Sequence, residues 1–172
     1  MGPMPARTPA AKPGRPRNPD APPKPKRPRD ELGRPLAWGA ENRLHLEDYD
    51  RLPLEENHRL GIESLNAGRF FPAHEAWETC WKQAKGTDEA EFFKGLSQLG
   101  AGYTHLYRGN LHGAHTLLRR AGGRLIPYGL SHRDLDPMKL AATAMVHALM
   151  FDEAEKHHRP PPDISPAKIP IA

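Results

Sequence analysis

The sequence predicts an all-α fold, a compact bundle of about five helices built from antiparallel helical hairpins. Three observations lead to this prediction. No segment shows the alternation of apolar and polar residues that is typical of strands. Apolar residues instead recur every three or four positions from about residue 53 to residue 157. Gly, Asn, Asp and Pro interrupt this region at intervals of about one helix length, and the connections that they leave are short.

Composition divides the chain of 172 residues into a tail and a domain. Residues 1–35 hold eleven of the twenty Pro, with nine Lys or Arg against three acidic residues. Their net charge is therefore +6, whereas the whole chain carries +4, so the basic balance belongs to this segment. Such a segment buries too little apolar surface to offset its ordering entropy. We therefore expect a disordered tail over 1–35, a helical bundle domain over 36–158, and a loose Pro-rich C-terminal segment over 159–172.

The tail and the single cysteine limit the classes of partner and compartment. The densest basic run, 24–29, would attract nucleic-acid phosphates or an acidic surface, but no aromatic residue precedes Trp38 to stack on bases. Any contact with nucleic acid would therefore be made through the tail alone, and a soluble, extended tail in polyproline-like conformations is the preferred interpretation. Cys80 has no second cysteine with which to form a disulfide, and no apolar run approaches the length of a membrane span. The N terminus has no apolar signal-peptide core, so we expect a cytoplasmic protein without membrane association.

The first two helices form the first predicted hairpin. The first covers about residues 53–67 and ends at Gly68, because Gly is the common residue just past a helix. The second begins at Pro72, since the missing N–H of Pro is free in a first turn, and it continues to about residue 85. A helical wheel places six of its residues on one apolar face: Ala73, Ala76, Trp77, Cys80, Trp81 and Ala84. This face predicts Trp77 and Trp81 as core anchors and Cys80 as a packed, inert thiol.

The other three helices follow from similar start and stop signals. The third is predicted over about 88–108, with Asp88 and Glu91 as a capping box. The fourth runs from the N-cap Asn110 to about residue 125. The last, about 137–157, is apolar on much of its circumference, which is typical of a central helix or an oligomer interface. A homo-oligomer would therefore form through the last helix.

The run from His74 to Glu78 is the strongest candidate for chemistry. It is similar to the His-Glu-x-x-His helix of zinc proteases, in which two imidazoles four residues apart bind zinc and the Glu is the base. Here Glu78 stands at the position of the second His, so a metal held by His74 and Glu78 needs further ligands from another helix. His105 and Gln98 would supply them if their side of the third helix turns inward. The wheel places them away from the apolar stripe, which counts against this.

These observations give three overlapping sets of candidate residues. The predicted ligand-binding residues are His74, Glu78, Trp81, Gln98 and His105. The candidate metal ligands are His74, Glu78 and His105, with a divalent metal as the one cofactor that the motif admits. The candidate catalytic residues are His74, Glu75 and Glu78, although the wheel turns Glu75 to the other side of the helix. A structural interpretation is favoured over a ligand or metal site: His74 and Glu78 hydrogen-bond each other and hold the start of the helix against a neighbour.

The remaining histidines give weaker indications. His112 and His115 are spaced for one helix face, but they lie next to a Gly-Asn break, and a solvated or capping role is the better interpretation. His147 follows an apolar line of the last helix and is interpreted as a core or interface histidine.

Three motifs in order resemble the domain-of-unknown-function family numbered 309. The motifs are Leu65–Glu78, Phe93–Leu99 and Leu106–Ala114, and the similarity covers roughly residues 53–140. The resemblance implies a small all-helical bundle, in agreement with the helices derived above. It implies no reaction, because the family's biochemical role is not established.

Two functions from different classes follow. The first is a non-enzymatic module that binds a protein partner or a small ligand beside the helix of His74, Glu78 and Trp81. The second is a small metal-dependent hydrolase that uses the His-Glu-x-x-Glu helix. The first is preferred because the sequence offers no complete set of metal ligands and no complete catalytic constellation.

Overall fold

The computed structural model describes residues 26–170. Within that range the chain forms five α-helices and two short 3-10 helices, Tyr49–Arg51 and Ile126–Tyr128, and no strand. The α-helices are α1 (Leu54–Asn66), α2 (Phe70–Gln83), α3 (Ala90–Tyr107), α4 (Leu111–Leu125) and α5 (Pro137–Lys156). Each begins and ends within two residues of its predicted bounds, and the all-α prediction is confirmed.

The helices pack in the order in which they occur in the chain. The principal contacts are α1 with α2, α2 with α3, α3 with α4, and α4 with α5. Short turns produce this order, and two of them depend on glycine: Gly68 and Gly109 follow α1 and α3 with φ of 73° and 76°. Asn110 then caps α4 as predicted, since its side chain accepts a hydrogen bond of 2.8 Å from the Gly113 N–H.

The start of α3 differs from the prediction. Asp88 and Glu91 do not form a capping box, because α3 begins at Ala90 and no side chain caps it. The Thr87 hydroxyl instead accepts a hydrogen bond of 3.3 Å from the N–H of Glu89, one residue before the helix. A local Thr turn thus replaces the Asp cap.

Trp77 is the central anchor of the core. Five residues of the predicted apolar face of α2 are buried: Ala73, Ala76, Trp77, Cys80 and Ala84. Trp77 fits because α1 carries Gly61 opposite it, where a Cβ atom would lie 2.5 Å from the indole ring. Trp81 was expected to be a second anchor, and this is wrong: its ring is only half-buried, with Lys85 and Lys94 at 5.4 and 5.0 Å from its centroid. Trp81 lies at the edge of the apolar face, where these lysines cover it.

The lone thiol is enclosed by the same core. Cys80 is fully buried, and its sulfur lies 3.5 Å from the carbonyl oxygen of Leu54. Burial raises the pKa of the thiol to about 12, so the thiolate needed for reactivity does not form near neutral pH.

The last helix has one packed face and one free face. Its inner side is buried against α4, whereas Val146 and Leu149 on its outer side are 54% and 60% exposed. His147, predicted as a core or interface histidine, is buried and its Nδ1 lies 2.9 Å from the hydroxyl oxygen of Tyr103. An oligomer interface on the outer face stays a prediction. None of the helices in residues 26–170 combines the length and the apolar character needed to cross a membrane.

The N-terminal part of the described range packs on the bundle. Residues 1–25 of the predicted tail, 1–35, lie outside the described residues. Residues 26–35 differ from the expectation, because the guanidinium of Arg108 donates to the carbonyl oxygen of Leu32 from Nε at 2.9 Å and also from a terminal nitrogen. Gly33, with φ of 77°, lies against the ring of Phe71. Basic and Pro-rich composition therefore did not prevent contacts made by backbone atoms.

The C-terminal segment also differs from the expectation of a loose end. Ile169 and Ala167 are 3% and 6% exposed and belong to the core. The Asn66 side chain accepts from the Ile169 N–H at 2.8 Å and donates to the Ile169 carbonyl oxygen, and the Ala167 N–H donates to the Tyr103 hydroxyl at 3.1 Å. Prolines prevent a helix here, but the extended backbone still offers polar groups that the bundle pairs.

Candidate functional site

The candidate site lies at the edge of α2 and α3, and it is organised by His74. Gly100 of α3 lets the two helix backbones approach closely there, since a Cβ atom at position 100 would lie 2.8 Å from the backbone nitrogen of His74. His74 Nδ1 is 3.1 Å from the backbone oxygen of Ser97 and 2.9 Å from its hydroxyl oxygen. A backbone carbonyl can only accept, so we assign the ring proton to Nδ1. The other ring nitrogen, Nε2, is then free to bind a ligand.

Two carboxylates face this free nitrogen. His74 Nε2 lies 3.3 Å from an oxygen of Glu78 and 3.8 Å from an oxygen of Glu75. One potential ligand atom from each of the three residues lies within 4.8 Å of the others. Their side chains are 24% to 34% exposed, so the cluster is partly desolvated and still open to solvent. Lys82 offsets part of the negative charge, because its ammonium lies 2.9 Å from the other oxygen of Glu78.

This geometry suits a cation. With the proton on Nδ1, the three converging atoms are all hydrogen-bond acceptors, so a cation or a hydrogen-bond donor placed between them would be favourable. Imidazole and carboxylate ligands together suit zinc and the other transition metals. Ser97 supplies the hydrogen bond to the opposite ring nitrogen that commonly orients a metal-bound histidine.

Glu75 belongs to the cluster, although the helical wheel predicted it on the other side of the helix. Adjacent helical residues are 100° apart, but the long Glu side chain bends back toward the imidazole. The i, i+4 pair of His74 and Glu78 lies as the sequence predicted. Ser97 was missed, since no spacing rule links residues on different helices.

Gln98 and His105 do not join the cluster. Gln98 follows Ser97 on α3, and its side-chain oxygen is buried without a hydrogen-bond partner in the described part of the chain. His105 turns toward α4, where its Nδ1 lies 2.9 Å from the Asn110 side-chain nitrogen. Burial lowers the pKa of His105, and the nearby charge of Arg108 lowers it further. The convergence of His74, Glu78 and His105 on one metal is therefore not what the structure shows, and a ligand role for Gln98 or His105 stays a prediction.

A groove that the sequence did not reveal borders the cluster. It encloses about 1050 Å³ between residues 26–46 and α2. Glu75 and Phe71 line it from α2, and Trp38, which is 64% exposed, lines it from the opposite side. The place of this exposed Trp, nine residues after the end of the basic run 24–29, is the one signal in the sequence that could have indicated a binding surface.

Residues 58–117 match a family model described as Domain of unknown function (DUF309). The match contains all of α2 and α3, and with them the cluster of His74, Glu75 and Glu78. The family resemblance drawn from the sequence motifs is thereby confirmed. Comparison with curated proteins and with solved structures gave no match.

Proposed function

We propose that this domain is a non-enzymatic binding module that takes its ligand at the edge of α2 and α3 through a divalent cation. The observation that carries the proposal is the position of His74. Its Nδ1 is anchored to Ser97 while its Nε2 faces carboxylate oxygens at 3.3 and 3.8 Å.

The electrostatics of the cluster support the cation. An unprotonated Nε2 and two carboxylates repel one another through their lone pairs and charges, and Lys82 contacts only the far oxygen of Glu78. A proton on Nε2 would relieve one contact, whereas a divalent ion uses all three atoms. Ser97 holds the ring in the orientation that such an ion requires.

The placement of the three ligands supports binding of a further molecule. Protein ligands that come from one helix surround only one side of an ion, so the remaining coordination positions point to solvent. The groove beside Glu75 could hold a partner or small molecule that completes the coordination with an oxygen atom, with Phe71 and Trp38 as apolar contacts. Trp81, one turn beyond Glu78, extends this surface along α2.

The alternative, a metal-dependent hydrolase, is favoured by one observation. Glu75 is farther from Nε2 than Glu78 and borders the groove, so it could serve as the base for a metal-bound water. In that case Glu75→Gln would abolish zinc-dependent hydrolysis of a model phosphate ester or peptide and leave zinc bound. Zinc-dependent hydrolysis that is unchanged in Glu75→Gln would contradict this role of Glu75.

Zinc titration of the tag-free full-length chain tests the proposal. Isothermal calorimetry should show a zinc site whose affinity falls at least about tenfold in His74→Gln and in Glu78→Gln. Zinc should also raise the melting temperature of the wild type, and this rise should be smaller in both variants. Glu63→Gln is the matched control, since it removes an equally exposed carboxylate on α1 that pairs with Arg59. Zinc stoichiometry and affinity that stay at wild-type values in both His74→Gln and Glu78→Gln would overturn the proposal.

The same variants separate ligation from a purely structural pair. If His74 and Glu78 only hold each other, each substitution should lower metal-free stability by about 1 kcal/mol. The double variant should then lose less than the sum, because both changes remove one shared contact. If the residues bind a cation, the stability of the metal-free protein should change little or rise in each variant. The substitution then removes one of several mutually repelling groups from the empty site. Urea unfolding of the four metal-free proteins distinguishes the two patterns.

A further inference from the structure

A second cluster of ligand-type side chains joins α4 to α5, at a distance in sequence from the α2 site. His112 and His115 lie one turn apart near the start of α4, and Glu155 lies near the end of α5. One oxygen of Glu155 is 2.8 Å from His115 Nε2 and 3.3 Å from His112 Nδ1. The two imidazole rings stand nearly perpendicular, at 82°, with their centroids 5.0 Å apart.

We propose that His112, His115 and Glu155 form a transition-metal site of the zinc type that links α4 to α5. Two imidazole nitrogens and one carboxylate oxygen are the protein ligands of many zinc sites that leave one position open. The three atoms lie within 4.8 Å of one another. Around a tetrahedral zinc with bonds of about 2.0–2.2 Å, ligand atoms lie roughly 3.4 Å apart. The contact of 3.3 Å between His112 Nδ1 and Glu155 already fits this spacing, and that of 2.8 Å between His115 Nε2 and Glu155 needs to lengthen by about 0.6 Å.

The burial of the ligands defines how the site works. The His115 side chain is 7% exposed and is fixed by its packing. Its Nδ1 is enclosed without a partner in residues 26–170, so Nε2 is the nitrogen that can meet an ion from solvent. His112 is 74% exposed and can move to complete the coordination. Asp152, one turn before Glu155, lies 3.9 Å from His115 Nε2, and its other oxygen pairs with Lys156 at 2.9 Å.

The consequence concerns the docking of α5. This helix packs mainly against α4, so a metal that joins the two helices would stabilise the attachment of α5 to the rest of the bundle. The outer face of α5 carries the exposed Val146 and Leu149. Metal binding would therefore hold this apolar surface in one orientation.

Cobalt and zinc titrations of the tag-free full-length chain test the site. Cobalt(II) bound by two imidazoles and a carboxylate gives visible d–d absorption, and zinc should displace it. His112→Gln is the principal variant, because an exposed side chain can be replaced without disturbing the core. We expect His112→Gln and Glu155→Gln each to lower cobalt affinity at least about tenfold. His157→Gln, an exposed histidine near the end of α5, is the matched control and should keep wild-type binding.

The two metal proposals fail or succeed separately. His74→Gln should remove only the α2 site, and His112→Gln only the α4–α5 site, so the wild type should bind two zinc ions and each variant one. A single zinc that is lost in His112→Gln supports the present site and argues against the α2 site. Cobalt absorption and zinc stoichiometry that are unchanged in both His112→Gln and Glu155→Gln would overturn the α4–α5 site, whatever the result at His74.

Discussion

We expect the buried His58 to make the stability of this bundle sensitive to mild acid. Its side chain is buried, 6% exposed, with its ring edge-on to Phe93 at 5.4 Å between centroids. Its Nδ1 lies 3.1 Å from the indole nitrogen of Trp77. Because the indole N–H can only donate, Nδ1 must be unprotonated to accept this hydrogen bond. Burial, assisted by the nearby charge of Arg133, lowers the pKa of His58 to about 4.

The sign and size of the effect follow from linkage. In the unfolded chain His58 takes up a proton with a pKa of 6.5, whereas in the folded chain it does so at about 4. Between these two pH values the unfolded state binds more protons than the folded state. The contribution of His58 to the free energy of unfolding is therefore fully present above pH 6.5 and is lost as the pH falls toward 4. The difference corresponds to about 3 kcal/mol when both states are protonated, and to about 2 kcal/mol at pH 5. Losses of this size are a large part of the stability of a domain of this length.

Urea unfolding at pH 7.5 and pH 5.0, followed by tryptophan fluorescence, measures this loss. His58→Gln is the informative variant, because the amide oxygen can still accept from Trp77 and the side chain does not titrate. Between the two pH values the wild type should lose about 2 kcal/mol more than His58→Gln. His157→Gln, which removes an exposed histidine, should lose as much as the wild type. Equal losses in wild type and His58→Gln would refute the reasoning, since His58 would then titrate alike in both states.

Three further substitutions test the packing. Trp77→Ala should cost about 3–5 kcal/mol in urea unfolding, and Trp81→Ala clearly less, because only the first ring is fully buried. Gly61→Ala should lower the melting temperature, because its Cβ would overlap the Trp77 ring, whereas Gly123→Ala should raise stability by roughly 0.5–1 kcal/mol, since that helical position is open. Asn66→Ala should lower stability and increase amide exchange around residue 169, because Asn66 holds that backbone; unchanged exchange there would contradict the contact.

The sequence was sufficient to predict the helices because their signals are local. Apolar spacing and glycine stops act within a few residues, and they located all five helices within two residues of their bounds. The wheel could not rank Trp77 above Trp81, because the two residues lie only about 40° apart on it and the neighbouring helices decide which becomes central. Gly61, a glycine inside a helix, was the available indication that a large ring needed space on α1.

The ends of the described chain could not be predicted because their contacts are not periodic. Ile169 is held through its backbone by Asn66, and Leu32 through its carbonyl oxygen by Arg108. Composition reports whether a segment can form a core of its own. It does not report whether a bundle presents polar side chains that pair an extended backbone.

The sequence was sufficient to predict the part of the candidate site that lies on α2, but not which residues of α3 contact it. An i, i+4 pair needs only helix geometry, so His74 and Glu78 were placed correctly. Which residues of α3 meet them depends on the rotation of that helix. Gly100 and Ser97 face α2, and Gln98, one residue after Ser97, is turned by about 100° from that face.

Position on α2 links the fold to the candidate site. His74 and Trp77 are three residues apart, so they lie about 60° from each other on the same helix. Trp77 fixes α2 against α1, and Gly100 lets the backbone at His74 approach α3 until the imidazole reaches Ser97. The orientation of His74 Nε2 is therefore set by core packing, whereas its ligand affinity depends on exposed carboxylates that the core does not use. Changes to the core should weaken stability and metal binding together, and changes to the carboxylates should weaken metal binding alone.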